Sequence, residues 1–173
     1  MKLKTLTVDF QINGKETEPK GAVFDWAGKY RYALWRRWGP GRALFVIGLN
    51  PSTADADIDD PTIRRLIGFA KRDGFEALYM GNVYAFRATD PKKVMVERYP
   101  IGYYNPLHLL RMHELAEKTI VAWGIHAKHR DVSATLGLLK PNPLYCFGKP
   151  KDGDPKHPLY LKSNTKIRAF KDA

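Results

Sequence analysis

The chain has 173 residues, of which 44% are hydrophobic and 12% aromatic, which suits one compact domain with a packed core. Its apolar runs are too short to span a membrane, and its first residues lack the apolar segment of a signal peptide. The single cysteine, Cys146, excludes an internal disulfide framework and a cysteine-ligated cluster, so we expect a cytoplasmic protein. The net charge of +11 favours DNA or a nucleotide as partner, with no membrane and no obligate protein partner.

The first 40 residues carry strand and aromatic signals. Residues 3–12 alternate apolar and polar side chains as a strand does, and Asn13-Gly14 predicts a turn. Residues 22–38 mix aromatic rings with arginines. Such a segment can stack bases and hold phosphates, or it can pack against a sheet with its arginines in solvent. We therefore predict a hairpin and an aromatic-basic cap over residues 1–40, with both roles of the cap open.

Four short apolar runs alternate with helical patterns along the rest of the chain. The runs predict strands at Leu44–Leu49, Ala77–Val83, Thr119–Trp123 and Leu144–Phe147. The helical patterns begin after Asp60, at Pro106 and at His126, with Asp60 as the N-cap and Pro61 at the first helical position of the first one. Strands that alternate with helices predict a parallel sheet with helices on both faces.

The organisation expected from these elements is one domain over residues 1–173. Residues 44–161 form its α/β core in this interpretation. Residues 162–173 follow as a C-terminal helical tail, because Asn164–Phe170 carries a weak helical pattern.

Several signatures of metal and cofactor sites are missing from the sequence. It has no phosphate-binding GxxxxGK[ST] loop and no GxGxxG after a strand. His126 and His129 are three residues apart, but no third ligand type stands near them, so we interpret them as helix-surface histidines. The acidic run after Asn50 resembles a calcium loop, yet Asp60 replaces the turn glycine and Leu66 the bidentate glutamate. We predict no metal and no cofactor.

Polar side chains follow the ends of three predicted strands. Asn50 follows the first, Asn82 lies near the end of the second, and His157 comes after the fourth. The carboxyl ends of parallel strands are where open α/β sheets bind ligands. An asparagine can read the amide edge of a pyrimidine or hold a water, and a histidine can stabilise a developing oxyanion. We therefore predict one site at this edge.

Four short segments together resemble the uracil-DNA glycosylase superfamily. They are Gly48-Leu49-Asn50-Pro51-Ser52, the strand Tyr79–Val83, the third strand Thr119–Gly124 and the late segment His157-Pro158-Leu159-Tyr160-Leu161. The segments NPSTAD, DDPTIRR and RATDPK also resemble a bacterial and phage family catalogued only as a domain of unknown function.

The glycosylase resemblance implies a fold and roles for three residues. The fold is a three-layer α/β/α sandwich around a four-stranded parallel sheet with strand order 2-1-3-4. Asn50 would position the attacking water, Asn82 would read the base, and His157 would stabilise the departing pyrimidine anion.

The function that we expect is hydrolysis of the glycosidic bond of a flipped, and in some cases modified, pyrimidine nucleotide. Two alternatives stay open: a non-catalytic nucleic-acid-binding module, and a base-modification enzyme on the same fold. The predicted catalytic residues are Asn50 and His157. The predicted substrate-binding residues are Pro51, Ser52, Thr53, Asp55, Asn82, Tyr84 and Phe86. The predicted nucleic-acid-binding residues are Arg87, Lys149, Lys151 and Lys156.

Overall fold

A computed structural model describes residues 19–125, 131–148 and 153–170. The strands in these ranges are β1 (Lys20–Phe24), β2 (Arg31–Arg37), β3 (Ala43–Gly48), β4 (Ala77–Asn82), β5 (Lys118–Val121), β6 (Leu144–Cys146) and β7 (Arg168–Ala169). The helices are α1 (Pro61–Arg72), α2 (Pro91–Val96), α3 (Asn105–Leu115) and α4 (Ser133–Leu139), with a short 3-10 helix at Pro158–Tyr160.

Within the described ranges the strands form one seven-stranded sheet in the order β1-β2-β4-β3-β5-β6-β7. The four central strands are parallel: β3 pairs with β4 and with β5, and β5 pairs with β6. Their spatial order, β4-β3-β5-β6, is the predicted order 2-1-3-4. Every residue of β3 and β4 is buried, as expected for strands covered on both faces.

The prediction that the sheet has only four strands is nevertheless wrong. β1 and β2 form an antiparallel hairpin that adds to the β4 edge, and β7 adds antiparallel to β6 at the other edge. Antiparallel strands at the margins of a parallel sheet are common in mixed α/β folds. Their presence means that the fold class is confirmed only as a mixed α/β fold.

Two apolar clusters lie on opposite faces of the sheet. Phe45 and Ile47 of β3 belong to the cluster that Leu109 and Met112 of α3 and Leu136 of α4 complete. The alternate β3 residues Leu44 and Val46 belong to the cluster with Ile63, Leu66 and Phe69 of α1. Successive side chains of a strand point to opposite faces, so the helices cover both faces and make three layers.

Helix α1 begins as its sequence predicts. The Asp60 carboxylate accepts a hydrogen bond from the Ile63 backbone N–H at 2.8 Å, and Pro61 occupies the first turn. Gly74 follows the helix with a φ of 76°. This start fixes Asp60 and Thr62 above the carboxyl end of β3, where the site described below lies.

The two ends of the described chain differ from expectation. Where the aromatic-basic segment was predicted to form a cap, residues 20–37 instead form the β1–β2 hairpin at one margin of the sheet. The hairpin predicted over residues 3–14 lies outside the described residues. The C-terminal helical tail is also wrong: Arg168–Ala169 is strand β7, and residues 161–170 contain no helix. A weak helical pattern over seven residues cannot outweigh pairing with the open edge of β6.

Of the helix predicted over His126–Leu139, the structure shows α4 from Ser133 onwards and no helix at residues 131–132, while residues 126–130 lie outside the described ranges. None of the described helices has the length and apolar composition needed to cross a membrane.

Candidate functional site

A cavity of about 730 Å³ opens at the carboxyl end of the parallel strands. Gly48 and Asn50 reach it from the end of β3, Asn82 from the end of β4, and Trp123 and Gly124 from the end of β5. The remaining lining residues are Arg31, Leu49, Ser52, Asp60, Thr62, Ile63, Met80, Ala88, Thr89, Ile125, Lys156, His157, Tyr160 and Leu161. Both the volume and the mixture of apolar walls with polar side chains are typical of small-molecule sites.

The amide of Asn50 is held in one orientation. Its Nδ2 donates to the Ala88 carbonyl at 2.7 Å and to the Pro51 carbonyl at 3.1 Å. Two carbonyls on one side of the amide require the NH₂ group there, which leaves Oδ1 on the other side as an acceptor. The Asn50 side chain therefore retains an acceptor whose orientation these two hydrogen bonds fix.

The amide of Asn82 is oriented by a buried arginine. Arg31 of β2 donates from Nη2 to Asn82 Oδ1 at 3.2 Å, and both residues are almost fully buried. Because Oδ1 faces the guanidinium, Nδ2 lies on the other side of the amide, over Gly48. A Cβ added to Gly48 would be 2.9 Å from Asn82 Nδ2. Since Gly48 also lines the cavity, Asn82 presents its donor group there.

The ring of His157 is fixed by its own turn. His157 caps the 3-10 helix, and its Nδ1 accepts from the Leu159 backbone N–H at 3.3 Å. An accepting Nδ1 carries no proton, so the neutral ring has its proton on Nε2. Gly124 permits the close approach of this turn to β5: its φ is 75°, and a Cβ there would lie 3.0 Å from His157 Cβ.

The cavity wall contains a desolvated cation. Arg31 is only 3% exposed, and burial lowers the pKa of its guanidinium to about 10, although Asp60 acts in the opposite direction. It remains charged at neutral pH. Lys156 adds a second cation to the lining and Asp60 one carboxylate, so the described wall carries more positive than negative charge.

The acidic loop after Asn50 is bound to the protein rather than open to a metal. Arg36 donates to the Asp59 carboxylate and to the Asp55 carbonyl, both at 2.8 Å, and Lys20 pairs with Asp57 at 2.9 Å. The Asp55 carboxylate accepts from the backbone N–H groups of Ile58 and Asp57, which lowers its pKa. Among the described residues no three His, Cys, Asp or Glu side chains are grouped to hold a metal.

The structure brings several predicted site residues together in the cavity, namely Asn50, Ser52, Asn82, Lys156 and His157. The others that it describes lie outside the lining: Pro51, Thr53, Asp55, Tyr84, Phe86 and Arg87.

Three of these outlying residues have structural contacts instead. Buried Tyr84 donates from its hydroxyl to the Asp131 carbonyl, and Phe86 packs edge-on against Tyr30. Arg87 donates to the Gly28 carbonyl and stacks on the Phe24 ring. The predicted nucleic-acid-binding residues Lys149 and Lys151 lie outside the described residues.

Three cavity residues were not expected from the sequence: Arg31, Trp123 and Tyr160. Arg31 belongs to a segment with several arginines, and nothing in its local sequence pattern marks it as a cavity residue. Only the pairing of β2 with β4 brings it beside Asn82. Trp123 and Tyr160 could have been found, because each lies within a motif that the resemblance already contained.

Comparisons with known proteins bear on the family but not on the activity. Searches of the curated proteins and of the solved structures return no match. A protein-family model described as "Protein of unknown function (DUF1643)" matches residues 31–159, well over half of the chain. That segment contains Arg31, Asn50, Asn82 and His157, and it confirms the expected domain of unknown function, whereas the glycosylase resemblance receives no support from these matches. The chain belongs to the DUF1643 family of proteins of unknown function.

Proposed function

We propose that this protein is a base-processing enzyme of the DNA glycosylase type, which hydrolyses the N-glycosidic bond of a flipped pyrimidine nucleotide. The observation that carries the proposal is the convergence of Asn50, Asn82 and His157 on one cavity. Each arrives from a different segment of the chain, and the amides of Asn50 and Asn82 and the ring of His157 are each oriented by hydrogen bonds to the protein.

Asn50 is suited to orient the nucleophile. Its Oδ1 can accept a hydrogen bond from a water while its Nδ2 stays on two backbone carbonyls. A water held in one direction towards the sugar loses less orientational freedom when it reacts. The role needs no strong base, because the sugar becomes cationic as the bond breaks.

His157 is suited to receive the negative charge that leaves with the base. With Nδ1 accepting from Leu159, its Nε2–H is the donor that could face a pyrimidine oxygen. The C1′–N1 bond breaks with both electrons on the pyrimidine, and the water oxygen bonds to C1′. The water releases a proton to solvent, and the departed pyrimidine takes one up from solvent.

The shape and charge of the site fit a nucleotide extruded from nucleic acid. A glycosidic bond inside a duplex is out of reach, so the nucleotide must leave the stack to enter the cavity. Lys156 and exposed Tyr160 line the cavity, where a cation and an aromatic ring can hold a phosphate and a neighbouring base. The net charge of +11 supports binding of the backbone.

Single-turnover cleavage of oligonucleotides tests this proposal. The substrates carry uracil, a thymine mismatch or a 5-substituted pyrimidine, and alkali reveals the abasic sites. We expect the wild-type protein to cleave at least one of them and Asn50→Ala to slow the chemical step. Asn142→Ala serves as the matched control, because Asn142 is exposed in the loop at the amino end of β6, whereas the cavity lies at the carboxyl ends of the parallel strands.

Two results would count against the proposal. If the wild-type protein leaves all of these substrates intact, the hydrolytic function is wrong, and the binding-module or base-modification hypothesis replaces it. If Asn50→Ala cleaves as fast as Asn142→Ala, the water does not depend on Asn50.

A further inference from the structure

Arg31 differs from the other buried arginine of β2 in what surrounds its charge. Arg36 pairs with the Asp59 carboxylate at 2.8 Å. Arg31 instead donates to two neutral oxygens, the Ala54 carbonyl at 2.8 Å and Asn82 Oδ1 at 3.2 Å. Its Nε is buried and has no hydrogen-bond acceptor among the described residues, where Arg31 also forms no ion pair.

Such an arrangement is energetically unfavourable for the Arg31 guanidinium. A buried charge is costly unless an opposite charge or a full set of hydrogen bonds compensates it. Asp60 and Asp55 attract the Arg31 guanidinium only at a distance, and Arg87 and Arg36 repel it. Because Arg31 lines the cavity, a ligand bound there could supply the missing negative charge.

We propose that Arg31 makes the wall of the cavity beside Asn82 an anion subsite, which binds a pyrimidine as its ring anion in preference to the neutral base. This inference rests on the proposed function in taking as its ligand a pyrimidine that leaves as an anion. It adds a residue outside the four segments of the glycosylase resemblance as the group that selects the charge state of the bound base.

Arg31 acts on the ligand partly through Asn82, which makes it a positioning residue. By donating to Oδ1 it fixes the Asn82 amide with Nδ2 towards the cavity. It also withdraws electron density from the amide, which strengthens Nδ2–H as a donor. A pyrimidine oxygen facing these groups therefore meets hydrogen-bond donors and a positive charge, and both favour a negative charge on that oxygen.

Binding of free bases tests the subsite without any cleavage. The probes are uracil, which is neutral at neutral pH, and 6-azauracil and 5-nitrouracil, whose ring N–H groups ionise much more readily. A buried hydrogen bond to a charged group is worth about 1.5–3 kcal/mol, so we expect the two acidic bases to bind about 10- to 100-fold more tightly than uracil. The ultraviolet spectrum of bound 5-nitrouracil should be that of its anion.

Variants then assign the preference to Arg31. Arg31→Gln should bind all three bases with similar affinity and lose the anion spectrum, whereas Arg31→Lys, which keeps the charge, should retain part of the preference. Arg36→Gln is the matched control, because it removes a buried arginine from the same strand but outside the cavity. It should keep the full preference for the acidic bases.

The outcomes separate this inference from the proposed function. Equal affinity of the wild-type protein for uracil and the acidic bases, or no binding of any of them, would overturn the anion subsite even if Arg31→Gln does not fold. A preference that persists in Arg31→Gln would also overturn it. A protein that selects the anion through Arg31 but cleaves no oligonucleotide would keep the subsite and lose the hydrolytic function.

Discussion

At the scale of single residues, the proposed chemistry depends most on the His157 side chain. We predict that His157→Ala slows single-turnover cleavage by about 100- to 1,000-fold, the usual effect of losing one preorganised donor to a developing anion. DNA affinity should change little, because the ring interacts with the base as it departs rather than with the backbone. Loss of affinity in proportion to rate would show that His157 serves binding and not the chemical step.

Gly48 shows how one small residue shapes the site. A Cβ at this position would lie 2.8 Å from Met80 Cε and 2.9 Å from Asn82 Nδ2. The Met80 side chain can move away, but the Asn82 amide is held by Arg31. We predict that Gly48→Ala displaces this amide, weakens binding of the base and lowers the free energy of unfolding by about 1–3 kcal/mol.

Gly68→Ala is the control for this change. Gly68 lies within α1, and a Cβ there would meet nothing within 4 Å. An alanine in a helix is favoured over a glycine, so the free energy of unfolding should rise by roughly 0.5–1 kcal/mol and base binding should stay unchanged. Denaturant unfolding and base titration of both variants provide the comparison, and equal effects at the two glycines would contradict the account of Gly48.

The residues of the site were predictable to different degrees. Asn50 and Asn82 follow buried apolar runs, and such runs indicate where the cavity edge lies. Arg31 and Gly48 acquire their roles only through contacts across strands, because the register of β3 with β4 brings Gly48 beside Asn82. Sequence spacing along one strand carries no information about that register.

At the scale of secondary-structure elements, the His113 side chain connects α3, β5 and α4. The residue lies on α3, its Nδ1 accepts from the Thr119 hydroxyl of β5 at 2.6 Å, and its Nε2–H donates to the Leu139 carbonyl of α4 at 3.1 Å. This arrangement uses the neutral ring, and burial lowers the pKa of His113 below its ordinary value of 6.5. The folded protein therefore takes up a proton here less readily than the unfolded chain.

The pH dependence of stability follows from this difference. Above about pH 6.5 the ring is neutral in both states, so the contribution of His113 is fully present. As the pH falls below that value, the unfolded chain binds the proton first and the free energy of unfolding decreases. We predict that His113→Gln, which cannot titrate, shows a weaker loss of stability over this range in denaturant unfolding. An unchanged pH dependence would contradict the prediction.

The sequence predicted the parallel strands better than the antiparallel ones. The runs of β3, β4 and β5 are buried on both faces and uninterrupted, which makes them visible without any partner. β7 has two exposed residues and exists only because β6 offers an open edge. The arginines of β2 prevented its prediction as a strand, because arginine side chains are usually solvated. Arg31 and Arg36 are instead buried by contacts with distant loops, which the local sequence does not show.

At the scale of the whole molecule, the charge of +11 makes nucleic-acid binding a measurable expectation. Each phosphate that a lysine or arginine neutralises releases condensed counterions, so we predict that DNA affinity falls steeply as salt increases. Fluorescence anisotropy of a labelled oligonucleotide across a salt series measures the slope. Absent binding at low salt, or a flat dependence, would favour a free nucleotide as the ligand.

The central claim is that one cavity receives a flipped pyrimidine between Asn82 and His157. The most direct test is a crystal structure with an oligonucleotide that carries 2′-fluoro-2′-deoxyuridine, whose fluorine slows breakage of the glycosidic bond. We predict that the base lies in the cavity with a carbonyl oxygen on Asn82 Nδ2, its other edge towards His157, and a water on Asn50 Oδ1. A base that remains stacked in the nucleic acid, with the cavity empty, would contradict the claim.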